Sequence, residues 1–306
     1  MMWNDLKIGA GLKAIGLYLL IWGAATTYLA FKGADWSFPI IALLIFGLTL
    51  SAIMWGLTRK IDAPVIPVAN PRKESLGLLA YVAIYALLLI GWGIGALKQA
   101  IAPGQVQEIA TLGFKLVIHV GLPAVVLLSL GGAVRPLLTA GVKDRRWWIA
   151  FVGMSIILFG LLAVVTPALP EISALNLAFP AAIVSVLGAW LWMSLEAGLC
   201  EEFLFRAVLQ TRLAAWFKSP VVAILLVSLV FALAHWPGLY FRGMPETDGF
   251  STDPVQMAAF TIATLSPISI LFGVMWQRTR SLVLVTLLHG AVNALPFTAE
   301  FVKIWG

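Results

Sequence analysis

Long apolar runs, separated by short polar breaks, dominate this chain, and each run has the length of a membrane-crossing helix. Such a helix needs about 20 mostly apolar residues. Runs of that kind lie near 12–31, 37–57, 76–97, 112–134, 147–169, 181–200, 221–240, 256–276 and 281–302. The breaks hold helix-stopping prolines: Pro64, Pro67 and Pro71 after the second run, Pro170 after the fifth, Pro220 before the seventh, and Pro245 and Pro254 before the eighth. The pattern predicts an all-α fold, a polytopic transmembrane helical bundle of about eight or nine spans with a polar site inside it. Two parts of one continuous membrane domain are expected. Residues 1–180 are helices without a recognised motif, and residues 181–306 carry the chemistry.

Composition strengthens the membrane reading. Charged residues make up 11% of the chain and hydrophobic ones 61%, whereas a soluble domain carries about a quarter charged residues. The 13 Trp and 17 Phe suit aromatic belts at the lipid–water boundaries. A single cysteine, Cys200, excludes an intramolecular disulfide. No small-residue cleavage site follows the first apolar run, so that run is expected to remain as an anchor.

The net charge of +6 sits in short connections and sets topology; no nucleic-acid partner is implied. Lys7, Arg59, Lys60, Arg72, Lys73, Arg135, Lys143, Arg145, Arg146, Arg206, Arg212, Lys218, Arg278 and Arg280 fall at the N-terminus or in even-numbered connections. Only Lys32, Lys98, Arg242 and Lys303 fall on the other side. The positive-inside rule then predicts a cytoplasmic N-terminus and, for nine spans, an external C-terminus. Short loops and absent eukaryotic sorting signals point to a multi-pass protein of a prokaryotic cytoplasmic membrane.

Against that background the run Glu201-Glu202-Phe203-Leu204-Phe205-Arg206 stands out. A charge at membrane depth costs several kcal/mol unless paired or hydrated, so such residues are candidates for function. Glu202 and Arg206 are four apart with the acid first, the favoured order for a helical ion pair. Glu201 points about 100° away round the helix. Two more pairs at helical spacing follow, Phe231 with His235 and His289 with Asn293. A reversal at Phe217-Lys218-Ser219-Pro220 puts Glu201 and His235 at one height, each about 25 Å from the turn. His289 lies about 14 Å from the turn around Gln277–Ser281, so the levels agree only if the sixth–seventh turn, with Arg206, Arg212 and Lys218 near it, projects into the cytosol. Lys115 and Lys13 read as snorkelling structural residues, with His119 beside Lys115, while Glu196 is a weaker candidate for a direct role.

Taken together, Glu201-Glu202…Arg206, Phe231…His235 and His289…Asn293 resemble the EExxxR, FxxxH and HxxxN motifs of the CPBP family. That family comprises the CAAX-protease and bacteriocin-processing intramembrane glutamic proteases, related to the Ras-converting CAAX endopeptidase. The resemblance spans residues 201–293, with one departure, Ala207 where a glycine commonly follows the arginine. It implies a peptide hydrolase acting near the C-terminal or membrane-proximal part of a protein substrate. It also implies that Glu201 activates water, His235 holds that water, His289 and Asn293 face the oxyanion, and Glu202, Arg206 and Phe231 orient the site. No metal or cofactor is expected, and the partners are a protein or peptide substrate and the bilayer.

Three alternatives share these residues. Glu201, His235 and His289 form a ligand set that catalytic zinc uses, although no HExxH helix is present. A non-catalytic membrane immunity or scaffold protein is a second reading. A proton-coupled transporter is a third, disfavoured because the first half of the chain holds no matching polar set.

Overall fold

A computed structural model describes residues 2–141, 145–245 and 247–306, with the side chains of 2–8 and 145 excepted. Lys7, Lys143 and Arg145 of the topology argument lie outside these described side chains. Among the described residues there is no strand, and nine helices are long and apolar enough to cross a membrane. They are α1 (Gly9–Phe31), α2 (Ser37–Thr58), α3 (Pro71–Ala100), α4 (Gln105–Ser129), α5 (Arg146–Val165), α6 (Phe179–Phe217), α7 (Pro220–Arg242), α8 (Pro254–Thr279) and α9 (Leu282–Trp305).

Several prolines start helices instead of interrupting loops. Pro71, Pro220 and Pro254 each occupy a first helical turn, where the missing N–H is no loss. Ser219, Asp253 and Ser281 cap α7, α8 and α9 by accepting backbone N–H groups. Pro170 departs from its expected place in a loop, lying within a short helix, Ala168–Ala174.

Burial separates centre from periphery. In α8 and α9, 61% of the apolar window is buried inside the protein, against 22% in α1 and α5. Helix α7 packs along α8 and α3, α9 along α6 and α5, and α1 along α8. One apolar cluster runs through both halves, from Phe46, Leu78 and Tyr85 to Phe203, Phe272 and Leu288. At one end, Lys32 pairs with Asp253 at 2.9 Å and holds its carboxyl down, at about 2.

Helix α6 runs to the reversal that the sequence places at Phe217-Lys218-Ser219-Pro220. Its apolar run ends near residue 200, yet the helix continues through every charged residue to Phe217. The polar stretch is therefore buried. Arg206 and Arg212, counted above as residues of a connection, are fully buried in ion pairs with Glu202 and Glu74. Arg212 also donates to the Ala207 and Ala133 carbonyls, so it ties α6 to the start of α3 and the end of α4. These two arginines act as internal struts, because each has a carboxylate partner within the bundle.

The long α6 also resolves the heights. Trp276 donates to Thr211 Oγ1 at 3.0 Å, so the α8–α9 turn meets α6 near residue 211 and the α6–α7 turn projects beyond it.

Close backbone contact joins α6 to α9. A Cβ on Gly198 would strike the Thr286 backbone, and one on Gly290 would sit 2.8 Å from the Ser194 backbone N and Cα. Small residues of this kind let membrane helices touch directly. Gly290→Ala is expected to destabilise the protein by about 1–3 kcal/mol, as overpacking does. Denaturant unfolding in detergent, compared with the exposed-face control Gly160→Ala, checks this.

Candidate active site

The site is built on π-helical turns, a form that α2, α3 and α4 also contain. Ser194–Leu199 and Glu202–Gln210 are π-helical, with Glu201 at the junction. Widened i→i+5 turns are rare and cluster at functional sites. Here Glu196, five residues before Glu201, lines the same cavity. Side chains use the same offset, since Thr211 and Arg212 donate to the carbonyls of Arg206 and Ala207.

From this helix a chain of polar contacts crosses the bundle core. Arg206 Nε lies 3.2 Å from Glu202 Oε2, and both side chains are fully buried. The Arg206 nitrogens have no well-aligned hydrogen bond. The guanidinium instead lies over the rings of Phe231 at 4.8 Å and Phe272 at 5.8 Å. The other Glu202 oxygen, Oε1, is 2.8 Å from His289 Nδ1, and the His289 ring stacks on Phe272 with 4.6 Å between centroids. His289 Nε2 then faces Glu201 Oε2 at 3.7 Å. The other oxygen of Glu201 faces His235 Nε2, also at 3.7 Å.

The tautomers follow from the partners. A carbonyl only accepts, so His235 donates from Nδ1 to Phe231 O at 2.8 Å. Glu202, paired with Arg206, likewise accepts from His289 Nδ1. Both Nε2 atoms are thereby turned toward Glu201, at a separation beyond a direct hydrogen bond. Phe231 serves twice, giving its carbonyl to His235 and its ring to Arg206.

A cavity of about 160 Å³ opens beside Glu201 and His235. Bulk water occupies about 30 Å³ per molecule, so the space suits a few waters and a segment of backbone. It extends to Lys98 and Arg242, at the α3 and α7 ends remote from the α6–α7 turn. The site is therefore reached from the end of the bundle that bears the odd-numbered connections.

Among the residues named from sequence, the structure brings together Glu201, Glu202, Arg206, Phe231, His235 and His289. Asn293 stands apart. Its amide folds back to donate to His289 O at 3.3 Å and makes no contact with Glu201. Conversely, Lys115 does not snorkel; it is buried and pairs with Glu196 at 2.7 Å in the cavity wall. His119 accepts from the Tyr85 hydroxyl at 2.5 Å and donates to Lys115 O at 2.9 Å. The i,i+4 spacing of Lys115 and His119 was the available signal for this wall, while Tyr85 gave none. The described residues include no group of three or more His, Cys, Asp or Glu placed to hold a metal ion.

A helical membrane protein with a carboxylate between two imidazoles in its core is the class that fold and site define. Residues 183–295 match the family model for Rce1-like proteins, described as type II CAAX prenyl endopeptidase Rce1-like. That segment runs from α6 into α9, includes every residue of the cluster, and is consistent with the CPBP resemblance. The match covers less than half of the chain. No curated protein and no solved structure matches the chain.

Removing one member of a buried ion pair strands the other charge. Arg206→Met is expected to destabilise the protein by about 3–5 kcal/mol. Replacing Glu202 by Gln together with Arg206 by Met should recover part of that loss, as read from unfolding midpoints of the two variants.

Proposed function

We propose that the protein is an intramembrane endopeptidase in which Glu201 is the general base. The observation that carries this reading is the approach of one imidazole Nε2 to each oxygen of Glu201, 3.7 Å away on either side, next to a cavity in an apolar bundle. A water between Glu201 and His235 would donate one hydrogen to each. Glu201 takes the proton as the water oxygen attacks the peptide carbonyl. The new C–O bond forms as the carbonyl π pair moves to oxygen. Collapse of this intermediate expels the amine, which receives the proton from Glu201, and leaves a carboxylic acid. Preorganised donors aimed at the oxyanion contribute several kcal/mol in such a site.

His289 Nε2 faces Glu201 Oε2 at 3.7 Å, and it donates to the oxyanion only when both ring nitrogens carry protons. Asn293 Nδ2 gives one hydrogen to the His289 carbonyl and has a second N–H to offer the oxyanion. Glu202, Arg206 and Phe231 are positioning residues.

The same atoms support a zinc reading, since a ligating histidine usually donates its other nitrogen to a carboxylate or carbonyl. We favour hydrolysis without a metal on the resemblance of the motifs to the glutamic proteases, and the HExxH helix familiar from zinc proteases is absent. The basic residues support a cytoplasmic N-terminus, which puts the mouth beside Lys98 and Arg242 on the external side. A protein segment entering from there, held at the bilayer edge, is the substrate class this geometry favours.

Glu201→Gln is expected to lower cleavage by about 10²–10⁴-fold, the share general-base catalysis supplies. Membrane proteomes with and without active enzyme, compared for new C-termini, supply the substrate for that assay. Wild-type protein stripped by strong chelators should keep full activity with no stoichiometric metal. Activity that disappears on stripping and returns with zinc would replace this mechanism with the zinc one. Unchanged biological activity of Glu201→Gln would replace it with the scaffold reading.

A further inference from the structure

At the opposite end of the bundle lies a second cavity, about 470 Å³, that the proposed chemistry does not use. It sits where α2, α6, α7 and α8 end or begin, at the level of a bilayer boundary. One wall is apolar, formed by Pro64, Val65 and Ala215 among others, and Val65 is 92% exposed. The other wall carries Lys218 and Arg280. No carboxylate lines the cavity, and the nearby Asp62 is exposed outside the lining.

Arg280 is the informative residue. Its Nη2 donates to Gln277 Oε1 at 2.9 Å, and its guanidinium lies 5.7 Å from the Trp276 ring centre. Its Nη1 is buried with no hydrogen-bond partner, and no acid among the described residues pairs with it. Burial alone pushes its pKa down to about 10. A guanidinium in that state lacks the anion that would complete it.

The backbone tells the same story. Among the described residues only three non-glycine residues have positive φ, and Lys218 and Arg280 are two of them, at 51° and 50°. Such positions normally go to glycine or asparagine. Here both turns instead place a long cation into one cavity. The N-terminus of α7 at Pro220 lies in the same wall and adds the positive end of a helix dipole.

We propose that this cavity binds a phosphate group, with Arg280 and Lys218 on its oxygens and the Pro64–Val65–Ala215 wall against an attached apolar chain. Basic pockets between spans on the cytoplasmic side bind anionic lipid headgroups in this way. A lipid phosphodiester and a free phosphate share the chemistry that the cations read.

Binding to the purified full-length chain in detergent distinguishes these sources. The probes are phosphatidylglycerol, an uncharged glycolipid with the same acyl chains, and inorganic phosphate. Phosphatidylglycerol is expected to bind at least tenfold more tightly than the glycolipid. Arg280→Gln and Ala215→Trp should each weaken it about tenfold. Ala215→Trp fills the space and keeps both cations, so it remains informative if Arg280→Gln folds poorly.

Raised thermal stability with phosphatidylglycerol, but not with inorganic phosphate, identifies a lipid headgroup. Equal stabilisation by inorganic phosphate, with full competition, identifies a free phosphate ligand. Equal binding of lipid and glycolipid overturns the proposal, as does unchanged binding in a folded variant of both positions. Glu201→Gln should bind phosphatidylglycerol as the wild type does, which separates this site from the hydrolytic one.

Discussion

The buried Glu202–Arg206 pair is the constraint on which the rest of the site depends. Removing two charges from water costs several kcal/mol per ion, and only close pairing with further contacts offsets it. Here the offsets are visible. Two aromatic faces take the guanidinium, and the Glu202 carboxylate accepts a hydrogen bond from His289 Nδ1. That contact fixes the ring so that Nε2 faces Glu201. The ion pair is thus a lever that orients an imidazole across the gap between α6 and α9.

The first half of the chain has more to do with the site than its lack of motifs suggested. Helices α3 and α4 supply Tyr85, Thr111, Lys115 and His119 to the cavity wall. Lys115 crosses to Glu196 on α6, and Arg212 of α6 crosses back to Glu74 at the start of α3. Each bridge joins a polar residue of one half to an opposite charge in the other. The apolar core is continuous across the same seam. The family match ends short of these contributions, since it covers 183–295 alone.

The two ends of the bundle carry differently lined cavities. At the odd-numbered end a cavity runs from Lys98 and Arg242 to Glu201. The even-numbered end closes around Arg280 and Lys218, where two turns in left-handed conformation converge. Helix α6 reaches both. Its 39 residues far exceed the about 20 that a span requires. The excess length carries the ion pairs and projects the Lys218 turn past the α8–α9 turn.

Much of the spanning pattern was legible in the sequence, because burial in lipid demands an unbroken apolar run whatever its neighbours are. Pairs within one helix were legible for a similar reason. Glu202 with Arg206, Phe231 with His235 and His289 with Asn293 all follow from local periodicity. Relations between helices were not. Every face of an apolar helix looks alike to a hydropathy pattern, so nothing in it told which way Lys115 turns or that Asn293 bonds its own helix. The π-helical turns of α6 shift the register in a manner no α-helical period anticipates, putting Glu196 and Glu201 on one cavity. The chain alone determined which groups would be costly in lipid. Tertiary structure decided which partner relieved each cost, since that depends on helix rotation and on backbone contacts such as Gly290 against Ser194.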